Sequence, residues 1–419
     1  MLAFLAWSGA VVLSAQFDDS PFDLEHPAVS YSTRPTTTVV DALSERVQSG
    51  QVSLPFDATT GFLKPLLQAL NVGVDSQMAV FSKTSLQLGF IHSRNPRVIY
   101  FNDSVAVAWV PGGFIEIAAQ DATQGAVFYH LMQTPTGPPV ILRDSSCLAC
   151  HNSYATLGVP GFLAKSIPSA RDGSGMAWLG NYLTDHRSPV NERWAGWFVT
   201  GSAGSSRHLG NAPVTDRNLD ELRVNDADLN LADLRARVDT TRYLSPYSDV
   251  VALLVFDHQL RMMNLLTRIG WEARTLAHDG RSEAAIVAAL RASAIETVDY
   301  MLFVDEAPLS GVRGSSGFAE SFSARGPRDS KGRSLRDLDL TRRLFKYPCS
   351  YMIYSKAFEQ LPGAAKRAIY DRLWAVLSGA ERAPKYARLS AGDRDQILEI
   401  LRETKAEVST PFSPRQSRP

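Results

Sequence analysis

Two of the three cysteines in this 419-residue chain stand three residues apart, and a histidine directly follows the second, in the stretch RDSSCLACHNSY (residues 143–154). No other feature constrains the fold as tightly. The spacing lets the thiols of Cys147 and Cys150 and the imidazole of His151 leave a single turn of chain together. The third cysteine, Cys349 in FKYPCSYM, lies in an apolar setting and reads as a buried thiol with packing value only.

Upstream of the motif the pattern has the period of strands. RVIYFN, VAVAWV, FIEIAAQ and AVFYHLMQ are short β-rich runs separated by Asn102-Asp103, by Pro111-Gly112-Gly113 and by Gly125. This spacing predicts an antiparallel meander of four strands. TPTGPPV (134–140) closes the meander and leads into the cysteines. Earlier still, residues 20–50 form a polar, proline-containing lead-in, and FLKPLLQALN (62–71) predicts a short helix.

Downstream, residues 152–215 are rich in Gly, Ser and Pro, with strands expected at MAWLGNYL and RWAGWFVTG. The last half is helical in pattern. Ser245-Pro246 predicts a helix start with Asp249 in the first turn, running to about His278 and stopped by Gly280. Ser282 starts another, to about Phe303, and residues 308–335 read as an irregular arm. Further helices are expected at 336–346, 362–378 and 390–405, the last with Ser390 and Asp393 as a capping pair. The class is α+β: a small antiparallel β-meander with a loop-rich motif region, then a helical region. The divisions fall at 1–16 (an apolar N-terminal segment), 17–215 (β-rich, carrying the motif), 216–408 (helical) and 409–419 (a disordered tail).

Cys147-Leu-Ala-Cys150-His151 has the form C-x-x-C-H, the attachment signature of c-type haem. The two thiols add across the haem vinyl groups, and their spacing lets both reach one porphyrin edge. The adjacent histidine then falls beneath the iron. On these residues the chain resembles the c-type cytochromes. That resemblance implies one covalent haem c, with Cys147 and Cys150 as thioether positions and His151 as the proximal ligand.

The likeness continues in LGVPG (157–161). The family has a Gly/Pro loop at about this distance, in which a proline carbonyl accepts the proximal imidazole N–H, and Pro160 is the corresponding position. The likeness covers a short region only. The chain is far longer than a compact cytochrome c module, and no methionine loop closing a small haem crevice is evident. SRNPRVIYFND, TLGVPG and ERWAGWFVTG are similar to large bacterial envelope proteins known mainly as predicted haem c carriers. That similarity implies a cofactor and supplies no activity.

The sixth iron ligand would decide the chemistry, because a second protein ligand favours outer-sphere electron transfer and an open position admits peroxide or small ligands. His208 (SSRHLGN) is the leading candidate, followed by His186 (TDHRSP), His258, Met176 and Met262. Trp178, Trp194 and Trp197 could wall a porphyrin, although Trp194 and Trp197, three apart, would face opposite ways on a straight strand. Arg187, Arg193 and Arg207 could pair with haem propionates.

Three functions are compatible with these residues. The first is a mono-haem carrier passing one electron between a redox partner protein, or a small-molecule donor, and an acceptor. The second is a peroxidase-like haem enzyme with an open iron. The third is a zinc or disulfide module built on the two cysteines and His151, although no second C-x-x-C or H-x-x-x-H pair is present. Lys plus Arg equals Asp plus Glu at 43 each, so nothing global points to nucleic acid or a membrane surface. MLAFLAWSGAVVLSAQ resembles the hydrophobic part of a secretory signal without a basic n-region, and is short of the roughly 20 apolar residues that span a bilayer. The expected location is the bacterial periplasm, or otherwise outside the cytoplasm.

Overall fold

The computed structural model describes residues 22–215, 222, 224–405 and 407. The expected signal segment (1–16) and disordered tail (409–419) lie outside them. Two helices come first, α1 (Val39–Gln48) and α2 (Leu63–Ala69). The lead-in therefore holds a helix that composition hid. Its signal is local: Thr38 accepts from Val40 N–H and Asp41 N–H, while Asp41 reaches back to Thr38 N–H.

The expected meander is present as β2 (Arg97–Phe101), β3 (Val105–Trp109), β4 (Ile115–Asp121) and β5 (Gly125–Leu131), preceded by β1 (Met78–Val80) and followed by β6 (Ile141–Arg143). After the motif helix α3 (Leu148–His151) come a two-stranded pair, β7 (Lys165–Ser166) and β8 (Tyr182–Leu183), and then β9 (Trp197–Phe198). The main sheet is larger than the four strands expected. It has seven, in the order β6-β5-β4-β3-β2-β1-β9, every neighbouring pair antiparallel.

Period-two alternation decides which face each residue joins. In β4 the odd positions Ile115, Ile117 and Ala119 are buried. With Val105, Val107 and Trp109 of β3 and Val127, Tyr129 and Leu131 of β5, they pack against α1 and α2. The even positions Glu116, Ala118 and Gln120 share the opposite face with Phe128 and His130 of β5.

That second face is covered by α4 (Val250–His278), a 29-residue helix buried along most of its length. Ring contacts join the layers: Phe101 lies 4.9 Å from Phe256 and 5.6 Å from Phe318 between centroids. Around α4 gather α5 (Glu283–Ala289), α6 (Arg291–Met301), α7 (Phe318–Ala324), α8 (Lys356–Glu359), α9 (Gly363–Leu377) and α10 (Ala391–Thr404). One continuous core runs from Met78 and Ile99 in the sheet to Leu401 in the last helix. The β-rich and helical regions therefore share an interior. Among the described residues no helix is long and apolar enough to cross a membrane.

Several boundaries differ from expectation for identifiable reasons. The long helix begins at Val250, not at Ser245. Asp249 is its cap, accepting from Val251 N–H and Ala252 N–H, while Pro246 O and Ser248 are used by Leu234, Phe198 and Thr200. The helix expected from Ser282 is two helices, divided at Leu290. Residues 336–346 form turns, with Leu340 at φ 58° and Leu338 bridged to Phe345. The arm at 308–335 contains α7. MAWLGNYL contributes a short 3-10 turn and two strand residues. RWAGWFVTG contributes only Trp197 and Phe198, because Trp194 (φ 68°) and Gly196 (φ 80°) bend the chain. Trp194 and Trp197 thereby both enter the main core.

Phe101 joins sheet, α4 and α7, so Phe101→Ala should destabilise the fold by about 3–5 kcal/mol. Urea unfolding would register this as a lowered midpoint with little change in slope.

Candidate functional site

The motif sits on the shortest possible scaffold. Asp144 accepts from Ser146 N–H and opens a 3-10 turn through Cys147, which passes directly into α3. Positions i, i+3 and i+4 of such a turn lie on one face, so Cys147, Cys150 and His151 share a side. Both motif thiols are free; Cys147 is half-buried and Cys150 exposed. Burial pushes the Cys147 thiol up to about 11, aided by the Asp144 and Glu116 carboxylates. A redox dithiol needs the reverse, a thiol made acidic by positive surroundings.

His151 is held from the loop that follows. Its Nδ1 lies 2.9 Å from Gly161 O, and Gly161 N–H donates back to His151 O at 2.9 Å. A carbonyl oxygen only accepts, so Nδ1 carries the ring proton and Nε2 keeps its lone pair. No hydrogen bond to Nε2 is present among the described residues. Burial lowers the pKa of His151, the Gly161 bond opposing it, which favours the neutral ring a metal requires. Phe128 packs against the ring at 4.7 Å between centroids.

The acceptor is one residue beyond the expected one. Pro160 O takes Ala126 N–H from β5 at 2.9 Å, and Gly161 O serves the imidazole. The loop is thus pinned to the sheet by the proline and to His151 by the glycine. Gly161 is sterically required: a Cβ there would meet Asn264 Oδ1 at 2.5 Å and Thr156 Cβ at 2.9 Å.

Charges of both signs surround the ring. Arg97, Glu116 and Lys165 all exert charge on the His151 ring. Exposed apolar side chains stand next to these groups: Leu86 beside Ser85, which donates to Glu116; Leu183 opposite Lys165; Leu142 opposite His130. Tyr154, three residues past His151, is also exposed. The residues present fit a haem in two respects: two free thiols on one face of the turn, and one imidazole whose Nε2 lone pair is unbonded.

The sequence candidates for the opposite side of an iron are engaged elsewhere. His208 is buried; Nδ1 accepts from Gly210 N–H at 3.1 Å and Nε2 faces Leu229 O at 3.0 Å, which leaves no lone pair for a metal. His186 and His258 pair with each other through their Nδ1 atoms at 2.8 Å, and His258 Nε2 contacts Ser350 Oγ at 2.8 Å, while His186 Nε2 is shut in the core with no hydrogen-bond partner among the described residues. Met262 is wholly enclosed in the main core, and Met176 packs beside Ala195 and Val214.

The arginines expected at propionates are likewise committed: Arg187 to Asp185, Arg207 to Asp226, and buried Arg193 to Asp257 and the carbonyls of His186 and Ser188. Trp178 is exposed, while Trp194 and Trp197 belong to the core. Among the described residues no three or more His, Cys, Asp or Glu side chains gather as a metal centre, so a structural zinc at the motif finds no closed donor set there.

Sequence reasoning missed Gly161, Asn264 and the Arg97–Glu116 pair (3.1 Å). Only the last had a sequence signal, since strand alternation puts Glu116 on the face of Phe128 and His130. Compared with known proteins, the chain matches no family model, no curated protein and no solved structure.

Burial holds His208 at about 4 and His258 at about 3, both below the ordinary histidine value, whereas buried Asp257 is raised to about 6 and acts in the opposite direction. For His208 the folded value lies below the unfolded one, near 6.5. Its contribution is therefore complete above that pH and is lost as pH falls toward 4. Between pH 7.5 and 4.5 the wild type should lose roughly 2–3 kcal/mol more stability than His208→Gln, read from urea midpoints at each pH.

Proposed function

We propose that the chain is an extracytoplasmic mono-haem c-type cytochrome that passes single electrons between a redox partner and an acceptor. The observation that carries this reading is the state of His151: Nδ1–H committed to Gly161 O and Nε2 free, beside two free thiols on the same helical face. Cys147 and Cys150 would form the thioether bonds, and His151 would be the axial ligand. Lys165 would supply positive charge near the ring, whereas Arg97 is already paired with Glu116. The bound haem would supply a ferric/ferrous couple, whose potential depends on the axial imidazole and its hydrogen bond. The location follows from the chemistry, because bacteria attach haem c outside the cytoplasm.

A second reading is a haem enzyme with an open iron position. It is favoured by the engagement of His208, His186, His258 and Met262 in other contacts.

Full-length protein made with the cytochrome maturation machinery should carry one haem per chain, give a c-type pyridine haemochrome and keep its colour through acid-organic extraction. Cys147→Ala/Cys150→Ala should lose all covalently retained haem. A colourless wild type, or pigment that extracts completely, sinks both haem readings. A low-spin ferric spectrum selects the carrier, and a high-spin one that binds cyanide rapidly selects the enzyme.

A further inference from the structure

Asn264 lies within α4, 2 % exposed, and its amide grips a single residue. Oδ1 accepts from Phe162 N–H at 2.8 Å and Nδ2 donates to Phe162 O at 2.7 Å. The N–H of Phe162 and the C=O of Gly161 belong to the same planar peptide unit. Asn264 therefore holds by its nitrogen the same rigid group that His151 holds by its oxygen.

We infer that Asn264 is the positioning residue for His151, fixing its tautomer and strengthening its donor nitrogen through the Gly161–Phe162 peptide. Withdrawing the peptide proton toward Oδ1 makes the Gly161 oxygen a better acceptor, since hydrogen bonds in series polarise one another. A better acceptor draws the Nδ1 proton outward and raises electron density at Nε2. Geometry acts in the same direction. The absence of a Cβ at Gly161 allows Asn264 Oδ1 to approach the peptide, and Thr156 Oγ1, within 3.3 Å of His151 O, steadies the other end of the loop. The tautomer claim stands on the protein alone, and the electronic consequence rests on the haem reading.

The test compares Asn264→Ala with Asn264→Asp and with Gln259→Ala. Gln259 is a matched control: it is also buried on α4 and also bonds backbone, donating to Asn102 O at 2.7 Å, in a different loop. Nitrogen NMR of full-length protein prepared without haem reads the His151 tautomer directly. Wild type should be almost wholly Nδ1–H. Asn264→Ala should move the tautomer ratio at least tenfold toward Nε2–H, the form a free imidazole prefers. Asn264→Asp keeps an acceptor for Phe162 N–H and should stay Nδ1–H, and Gln259→Ala should also stay Nδ1–H while losing comparable thermal stability.

An unchanged ratio in Asn264→Ala overturns the inference, as does an equal shift in Gln259→Ala. If the alanine variant does not fold, loss of the Nδ1–H form in Asn264→Asp overturns it. On haem-loaded protein, Asn264→Ala should raise the midpoint potential by about 59 mV, a tenfold change in the ferric-to-ferrous ratio for one electron. A chain that takes up no thioether-linked haem defeats the cytochrome proposal and leaves the tautomer result standing by itself.

Discussion

A helix buried on nearly every side has nowhere to hide a polar group, and the architecture of this protein follows from how α4 meets that constraint. Unsatisfied polar atoms in such a place cost about 1–3 kcal/mol each. α4 nevertheless carries Asp257, His258, Gln259, Asn264 and Thr267 in its enclosed stretch. Each reaches out to fasten something distant in sequence. Asp257 meets Thr184, Trp194 and Arg193; His258 meets His186 and Ser350. Gln259 bonds Asn102 O and Tyr351, Asn264 clamps Phe162, and Thr267 takes Gln120. The polar side chains of one helix are the ties that hold the sheet, the motif loop and the C-terminal helices in register.

The motif is the beneficiary at one end of this arrangement. A single turn bearing two cysteines and a histidine has no interior of its own, so its rigidity must be borrowed. β5 lends it through Ala126 and Phe128, and α4 lends it through Asn264 and the Phe162 backbone. The result is an imidazole whose proton and lone pair are assigned without any metal having to assign them. Glu116 and Arg97, paired on the same sheet face, bring opposed charges near the ring while keeping each other neutralised.

The buried cluster around His186, His258 and Arg193 is of a different character. Tyr300 stacks on the His258 ring, lies tilted against His186 and donates to His258 O. Desolvation keeps His258 at about 3 and His186 well below the ordinary value, so both remain neutral at physiological pH. The cluster engages both ring nitrogens of His258 and encloses His186 in the core with its Nε2 unbonded, so neither ring stands at the surface.

What the sequence determined by itself was a part of what depends on neighbours a few residues away. The C-x-x-C-H turn, the alternation of β2 to β5, the Ser390–Asp393 cap and the Gly379 stop after α9 are all set by short-range sterics and local hydrogen bonding. Only the tertiary structure decided which carbonyl holds His151, which histidines stay available, how Trp194 turns into the core, and where β1, β6 and β9 join the sheet. These rest on contacts between residues far apart in sequence, as between Phe162 and Asn264 or Pro160 and Ala126. No periodicity encodes such partners, because burial determines them: each polar atom shut away from water takes whichever partner packing brings within reach.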